Sequence, residues 1–156
     1  MGFADFIIRR VTRRLPDVVI GPAEQPYLRR WHVIPRNRFF NIYLHHFLAS
    51  DDDRALHDHP WINLSILLKG HYWEHLAAGP IMSPWEVQRN QGEWIFRHSG
   101  KISHRIELED NKPVWTLFIT GPRYRIWGFH CPDGWKPYYE FLGRYDGADK
   151  EKGCDE

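Results

Sequence analysis

From Tyr27 to His130, turn-forming residues cut the chain into short runs rich in β-branched and aromatic side chains, and this rhythm constrains the fold more than any other feature. Breaks fall at Pro35-Arg-Asn37, Ser50-Asp-Asp-Asp53, Gly79-Pro80, Asn90-Gln-Gly92, Ser99-Gly100, Glu109-Asp-Asn-Lys112 and Gly121-Pro122. The runs between them, 27–34, 39–48, 61–69, 71–76, 85–89, 93–97, 102–108, 114–120 and 124–130, read as strands. Short strands with such spacing predict an all-β sandwich or barrel. Eleven Pro and twelve Gly argue against long helices. A chain of 156 residues suits one domain. We expect a lead-in segment over 1–26, a barrel over 27–142 and a charged, frayed tail over 143–156.

Alternation within the runs predicts which side chains share a face. In 102–108, Ile102, His104, Ile106 and Leu108 lie opposite Ser103, Arg105 and Glu107. In 39–48, Phe40, Ile42, Leu44, His46 and Leu48 share a face. In 62–68 the more apolar face is Ile62, Leu64, Ile66 and Leu68, opposite Asn63 and Ser65. That strand reads as buried on both sides, at a sheet-on-sheet contact or a subunit interface, so a homodimer is expected.

Several classes are set aside. The formal net charge is +1, which calls for neither nucleic acid nor an acidic membrane surface. No stretch approaches the ~20 apolar residues of a membrane span. The N-terminus is apolar first and basic afterwards, the reverse of a signal peptide. Phe6 breaks the myristoylation pattern. Residues 3–14 predict a short amphipathic helix with Arg9, Arg10, Arg13 and Arg14 on its polar side, packed on the domain as a basic arm. Cys131 precedes a proline and Cys154 lies in a polar tail, so no disulfide and a reduced, cytoplasmic protein are expected.

The chemistry is concentrated in Ala55-Leu-His57-Asp-His59-Pro60-Trp61. Two histidines at i and i+2 of an extended segment point the same way and can converge on one ion. Neutral imidazole suits Fe, Zn, Ni, Cu or Mn. A third ligand must come from a neighbouring strand, and His104, on an apolar face at a strand start, qualifies.

These residues resemble the cupin superfamily. Its first motif places His-X-His, three or four residues, Glu, six residues and Gly; here stand His57-Asp-His59, three residues, Asn63, six residues and Gly70. Its second places Gly, five residues, Pro-X-Gly, two residues and His; here stand Gly92, five residues, His98-Ser99-Gly100, three residues and His104. The resemblance implies a double-stranded β-helix, or jelly-roll barrel. It implies metal ligands at His57, His59 and His104, with Asn63 at the fourth position where Glu is usual. A neutral three-His site occurs among the thiol dioxygenases of the superfamily, and such a site also suits zinc.

The expected function is therefore a mononuclear non-haem metal enzyme. Fe(II) is favoured over Zn, Ni or Mn, and the substrate is a small molecule. A cupin isomerase or epimerase, and a non-catalytic binding barrel, stay open as alternatives. For substrate contacts, Arg36, Arg38, Arg54, Arg97 and Arg105 are candidate anion anchors. Arg105 points away from His104 by parity. Tyr43 and Tyr124 are candidates for proton transfer or binding. Of these, Arg97 and Tyr43 are taken as the catalytic pair. His45, His71, His75 and His130 read as ordinary strand residues, and His46 and His98 as structural. The aromatic stretch Trp127 to Trp135 reads as a packed loop capping the core.

Overall fold

A computed structural model describes residues 2–51, 55–77, 85–142 and 154. Arg54, the Gly79-Pro80 break and the tail from Gly143, Cys154 excepted, lie outside the described residues.

Two six-stranded antiparallel sheets enclose the interior. The first runs β1 (Val18–Ile20), β2 (Leu28–His32), β3 (Asn41–Phe47), β10 (Val114–Thr120), β5 (Asn63–Lys69), β8 (Trp94–Arg97). The second runs β12 (Gly134–Pro137), β11 (Gly128–Cys131), β4 (Leu56–His57), β9 (His104–Glu107), β6 (His71–Leu76), β7 (Trp85–Asn90). Two helices, α1 (Phe3–Val11) and α2 (Tyr138–Phe141), flank the chain. This is the double-stranded β-helix that the resemblance implied, and an instance of the all-β barrel that the strand rhythm predicted. Expected strands 71–76 and 114–120 are observed with the same ends. β1, β4 and β12 were not anticipated; they span three, two and four residues, too few for a period to show.

Inward faces follow the two-residue period. On β10, Val114, Thr116, Phe118 and Thr120 are buried. On β8, Ile95 and Arg97 turn inward while Trp94 and Phe96 face out. Leu28, Phe47, Leu67, Tyr72, Ile106 and Leu108 form the main core between the sheets.

On β3 the face shared by Ile42, Leu44 and His46 is the outer one. The inward side chains are Tyr43, His45 and Phe47, all buried. Leu44 and His46 face the outer surface. Leu44 sits with Trp31 and Leu68 in a second cluster covered by Ala4, Ile7, Ile8 and Val11 of α1. Because α1 covers that outer face, the strand is apolar on both sides and its pattern no longer tells inside from outside. The same holds for β5. Asn63, Ser65 and Leu67 point inward, and Ile66 packs on the α1 cluster. Its two-sided apolar character is thus explained within one chain. The basic arm packs on the domain as expected.

His46 stacks on Trp115 with ring centroids 3.8 Å apart. Burial, with Arg29 adding like charge, pushes its pKa down from 6.5 to about 4. The unfolded chain then binds a proton that the folded one refuses, so stability is lost as pH falls from about 6.5 toward about 4. In a pH series of urea unfolding on metal-free protein, His46→Phe, which keeps the stack, is expected to flatten this acid slope. An unchanged slope would place the acid sensitivity elsewhere.

The expected absence of a disulfide is also corrected. Cys131 on β11 is bonded to Cys154, 23 residues away, and no free cysteine is left. Cys154 packs with Phe129, Cys131 and Phe141. Nothing in the polar sequence around Cys154 signals that return, and the ground for expecting two free thiols is removed.

Candidate metal centre

His57 lies on β4 and pairs with His104 of β9 on one side and Phe129 of β11 on the other. Extended backbone carries the chain through Asp58, whose N–H donates to Gly128 O (2.9 Å), and His59, whose N–H donates to Gly100 O (2.9 Å). The i, i+2 rule therefore operates here. His57 and His59 point into the barrel and Asp58 points out. Gly100 makes the approach possible, since a Cβ there would overlap the His59 carbonyl oxygen. This gives a physical reason for the Gly in the second motif.

The three imidazoles converge. One ring nitrogen from each of His57, His59 and His104 lies within 4.8 Å of the others. His59 Nε2 and His104 Nε2 face each other at 2.9 Å. Two nitrogens sharing one ion at about 2.1 Å stand about 3.0–3.4 Å apart for angles between about 90° and 110°. The donor set therefore fits a divalent ion. Burial holds His59 and His104 neutral, pushing both pKa values well below the usual imidazole value, and the positive charge of Arg97 adds to this. Neutral imidazole is the form that ligates.

Behind the triad stand residues that the sequence reading missed. Glu74 of β6 is fully buried, with its Oε1 2.9 Å from His104 Nδ1. The carboxylate, closer to Nδ1 than the Arg97 Nη2 donor at 3.1 Å, favours the tautomer with the proton on Nδ1, which leaves the Nε2 lone pair for the ion. Glu74 also pairs with Arg97 and, through Oε2, with Arg89 Nε at 2.6 Å. Asp51 Oδ2 lies 3.8 Å from His57 Nδ1 and accepts the Ile106 N–H at 2.6 Å, and its other oxygen accepts from the Tyr27 hydroxyl. Glu74 shares the inward parity of Tyr72, a signal the sequence did contain. Asp51, in a run of three aspartates, gave none.

Of the remaining candidates, Arg97 is buried and lines the cavity, but its charge is directed at Glu74. Asn63 Oδ1 accepts from Arg97 Nη1 at 3.3 Å. Tyr43 is buried between His32 and His45 and does not line the cavity. Arg38 lies over the exposed Phe39 ring, Arg105 pairs with Glu107, and the Tyr124 hydroxyl accepts the Gly100 N–H. Asp58, on the far side of its strand, accepts from Gly128 N–H (2.8 Å) and Trp135 Nε1 (3.0 Å) and pairs with Arg125 (2.8 Å).

The triad forms part of the wall of a cavity of about 500 Å³. The rest is mainly apolar and aromatic, with Phe47, Trp61, Phe118, Trp127 and Phe129 prominent. Trp127 and Phe129, expected in a capping loop, are therefore wall residues, Phe129 from β11. On the opposite sheet the wall carries Arg30 of β2 and His45 of β3, cross-strand neighbours that the sequence reading did not single out.

The fold and this centre define a class: a cupin-fold protein with a candidate three-histidine metal site. No family model and no curated protein matches the sequence. Among solved structures, Fe(II)-HppE with the alternative substrate (S)-1-HPP shares the fold at a TM-score of 0.52 and 13% identity, over 69% of this chain and 58% of that one. The chain thus spans a little over half the length of HppE. A conserved Klebsiella pneumoniae protein with a double-stranded beta-helix domain matches at 0.52 and 13% identity, over 71% of this chain and 89% of its own.

Proposed function

We propose that the chain is a mononuclear non-haem metal enzyme, with Fe(II) the favoured ion and oxidation of a small molecule by dioxygen the favoured reaction. The observation that carries this reading is the convergence of three buried or half-buried imidazoles on one point of an apolar cavity wall. Support for iron comes from HppE, a protein of the same fold that holds Fe(II). A neutral nitrogen set also accepts Zn, Ni or Mn.

His57, His59 and His104 would hold the ion. Glu74 fixes the tautomer of His104, and Arg97 and Arg89 balance the carboxylate. Trp61, Phe118, Trp127 and Phe129 give the cavity beside the ligands an apolar lining. Bound there, a divalent ion supplies Lewis acidity and, as iron, the electrons that activate dioxygen.

A second reading, a cupin isomerase or epimerase, draws on the Glu74–His104 pair. A carboxylate behind an imidazole is what a general base needs, and Asp58, which points away, does not provide it. Mass-spectrometric metal analysis of protein purified without chelator separates the readings. Near-stoichiometric iron is expected, lost in His57→Ala and in His104→Ala, with oxygen uptake on candidate substrates to follow. Zinc would favour the isomerase. No transition metal after anaerobic Fe(II) reconstitution would leave a ligand-binding barrel.

A further inference from the structure

Arg30 has no obvious reason to be inside a barrel. It sits inward on β2, half-buried, and lines the cavity opposite the histidines. Its Nε–H donates to His45 Nε2 at 2.8 Å, and its guanidinium lies 5.1 Å over the Tyr43 ring. Among the described residues no carboxylate pairs with it. The other buried or half-buried arginines behave differently. Arg97 and Arg89 meet Glu74, and Arg125 meets Asp58. Arg36 adds like charge nearby rather than relief. A guanidinium does not escape by losing its proton, and a charge drawn even half out of water without a counter-charge is costly. A site that keeps one is built to receive an anion.

The geometry states what kind. His45 occupies Nε, which leaves the two Nη groups as donors in the planar fork that matches a carboxylate. Thr116, directly opposite His45 in register, lines the same patch with a hydroxyl. One formal positive charge balances one negative charge, which suits a monoanion rather than a phosphate dianion. Around this seat the walls are Leu28, Phe47, Tyr72 and Ile106. From His45 the ring of Phe118 leads to His59, with centroid distances of 5.2 and 5.8 Å. A ligand held at Arg30 is therefore one aromatic ring away from the triad.

We propose that the cavity takes a monocarboxylic acid with an apolar body, its carboxylate seated on Arg30 and its far end turned toward His57, His59 and His104. That the far end meets a metal rests on the enzyme reading above; the seat itself does not.

The test is calorimetric titration of the full chain, metal-free and Zn(II)-loaded, with hydrocinnamate and with its neutral amide. Metal-free wild type is expected to bind the acid about tenfold or more tightly than the amide. Arg30→Gln is expected to erase that preference and Arg30→Lys to keep part of it. Equal binding of acid and amide by metal-free wild type would overturn the proposal, without recourse to any variant. A preference that survives in Arg30→Gln would overturn it too. The variant removes a half-buried charge that meets no carboxylate among the described residues, so its melting temperature is expected to hold or rise. Metal analysis of the same samples separates the two readings. A chain that takes up no metal yet shows the Arg30-dependent preference sinks only the enzyme reading. A metal-loaded chain without the preference sinks only the carboxylate seat.

Discussion

Glu74→Ala is expected to destabilise the metal-free protein by about 3–5 kcal/mol, the usual cost of removing one partner of a buried ion pair. Glu74 is fully buried and answers two arginines at once. Without it, Arg97 is left inside with only Asn63, Tyr72 and His104 as partners. The pair also joins the sheets, since Arg97 comes from β8 of the first and Glu74 from β6 of the second. A second effect follows at the centre. His104 loses the acceptor that fixes its tautomer, and metal affinity is expected to fall about 10–100-fold. Urea unfolding and competitive zinc titration read the two effects separately. Glu74→Gln, which keeps an acceptor oxygen but no charge, should recover more metal affinity than stability. A loss under about 1 kcal/mol with metal uptake intact would show that the carboxylate does neither job.

The second large effect is expected at Asp58, the residue between the two histidines. Asp58→Ala removes the acceptor for the Gly128 N–H and the Trp135 indole and leaves Arg125 unpaired. A loss of about 2–4 kcal/mol is expected from these combined. The hairpin of β11 and β12, which brings Phe129 to the cavity, should loosen first. Burial works against the Asp58 charge, but hydrogen bonds from His130, Gly128 and Arg125 outweigh it and hold its pKa below 3.8. Because the folded pKa is the lower one, its stabilisation is present above pH 3.8 and fades as pH falls through the folded value. Wild type should therefore keep an acid-unfolding step that Asp58→Ala lacks. Chemical unfolding across acidic pH, with hydrogen exchange at β11, checks both points.

Much of the architecture was legible because antiparallel strands advertise themselves by period and by punctuation. The convergence of His57, His59 and His104 was legible for the same reason, since parity alone puts two of them on one side of a strand. Parity failed where both faces of a strand are covered. On β3 Leu44 lies under α1 and His46 stacks on Trp115, while Tyr43, His45 and Phe47 face the interior. With both faces covered, nothing marked His45 as inward, nor the neighbouring Arg30. Glu74 was hidden for another reason. A buried carboxylate makes sense only when its partners are known, and Arg97, Arg89 and His104 are 23, 15 and 30 positions away in sequence. The Cys131–Cys154 bond is likewise a matter of chain return, which spacing does not record.

The polar groups of the cavity are divided between the two sheets. The three histidines hang from β4 and β9 and from the segment after β4, on one sheet, while Arg30 and His45 hang from β2 and β3 on the other. A ligand that touches both is gauged like an object between the jaws of a caliper, and the opening is set by the core side chains wedged between the layers. Leu67 and Tyr72 are two of these spacers, one from each sheet. Chain length in the ligand would then be selected by residues that need not touch its reacting end. Relatives of this chain could change what they accept by thickening or thinning the core, leaving every polar contact in place.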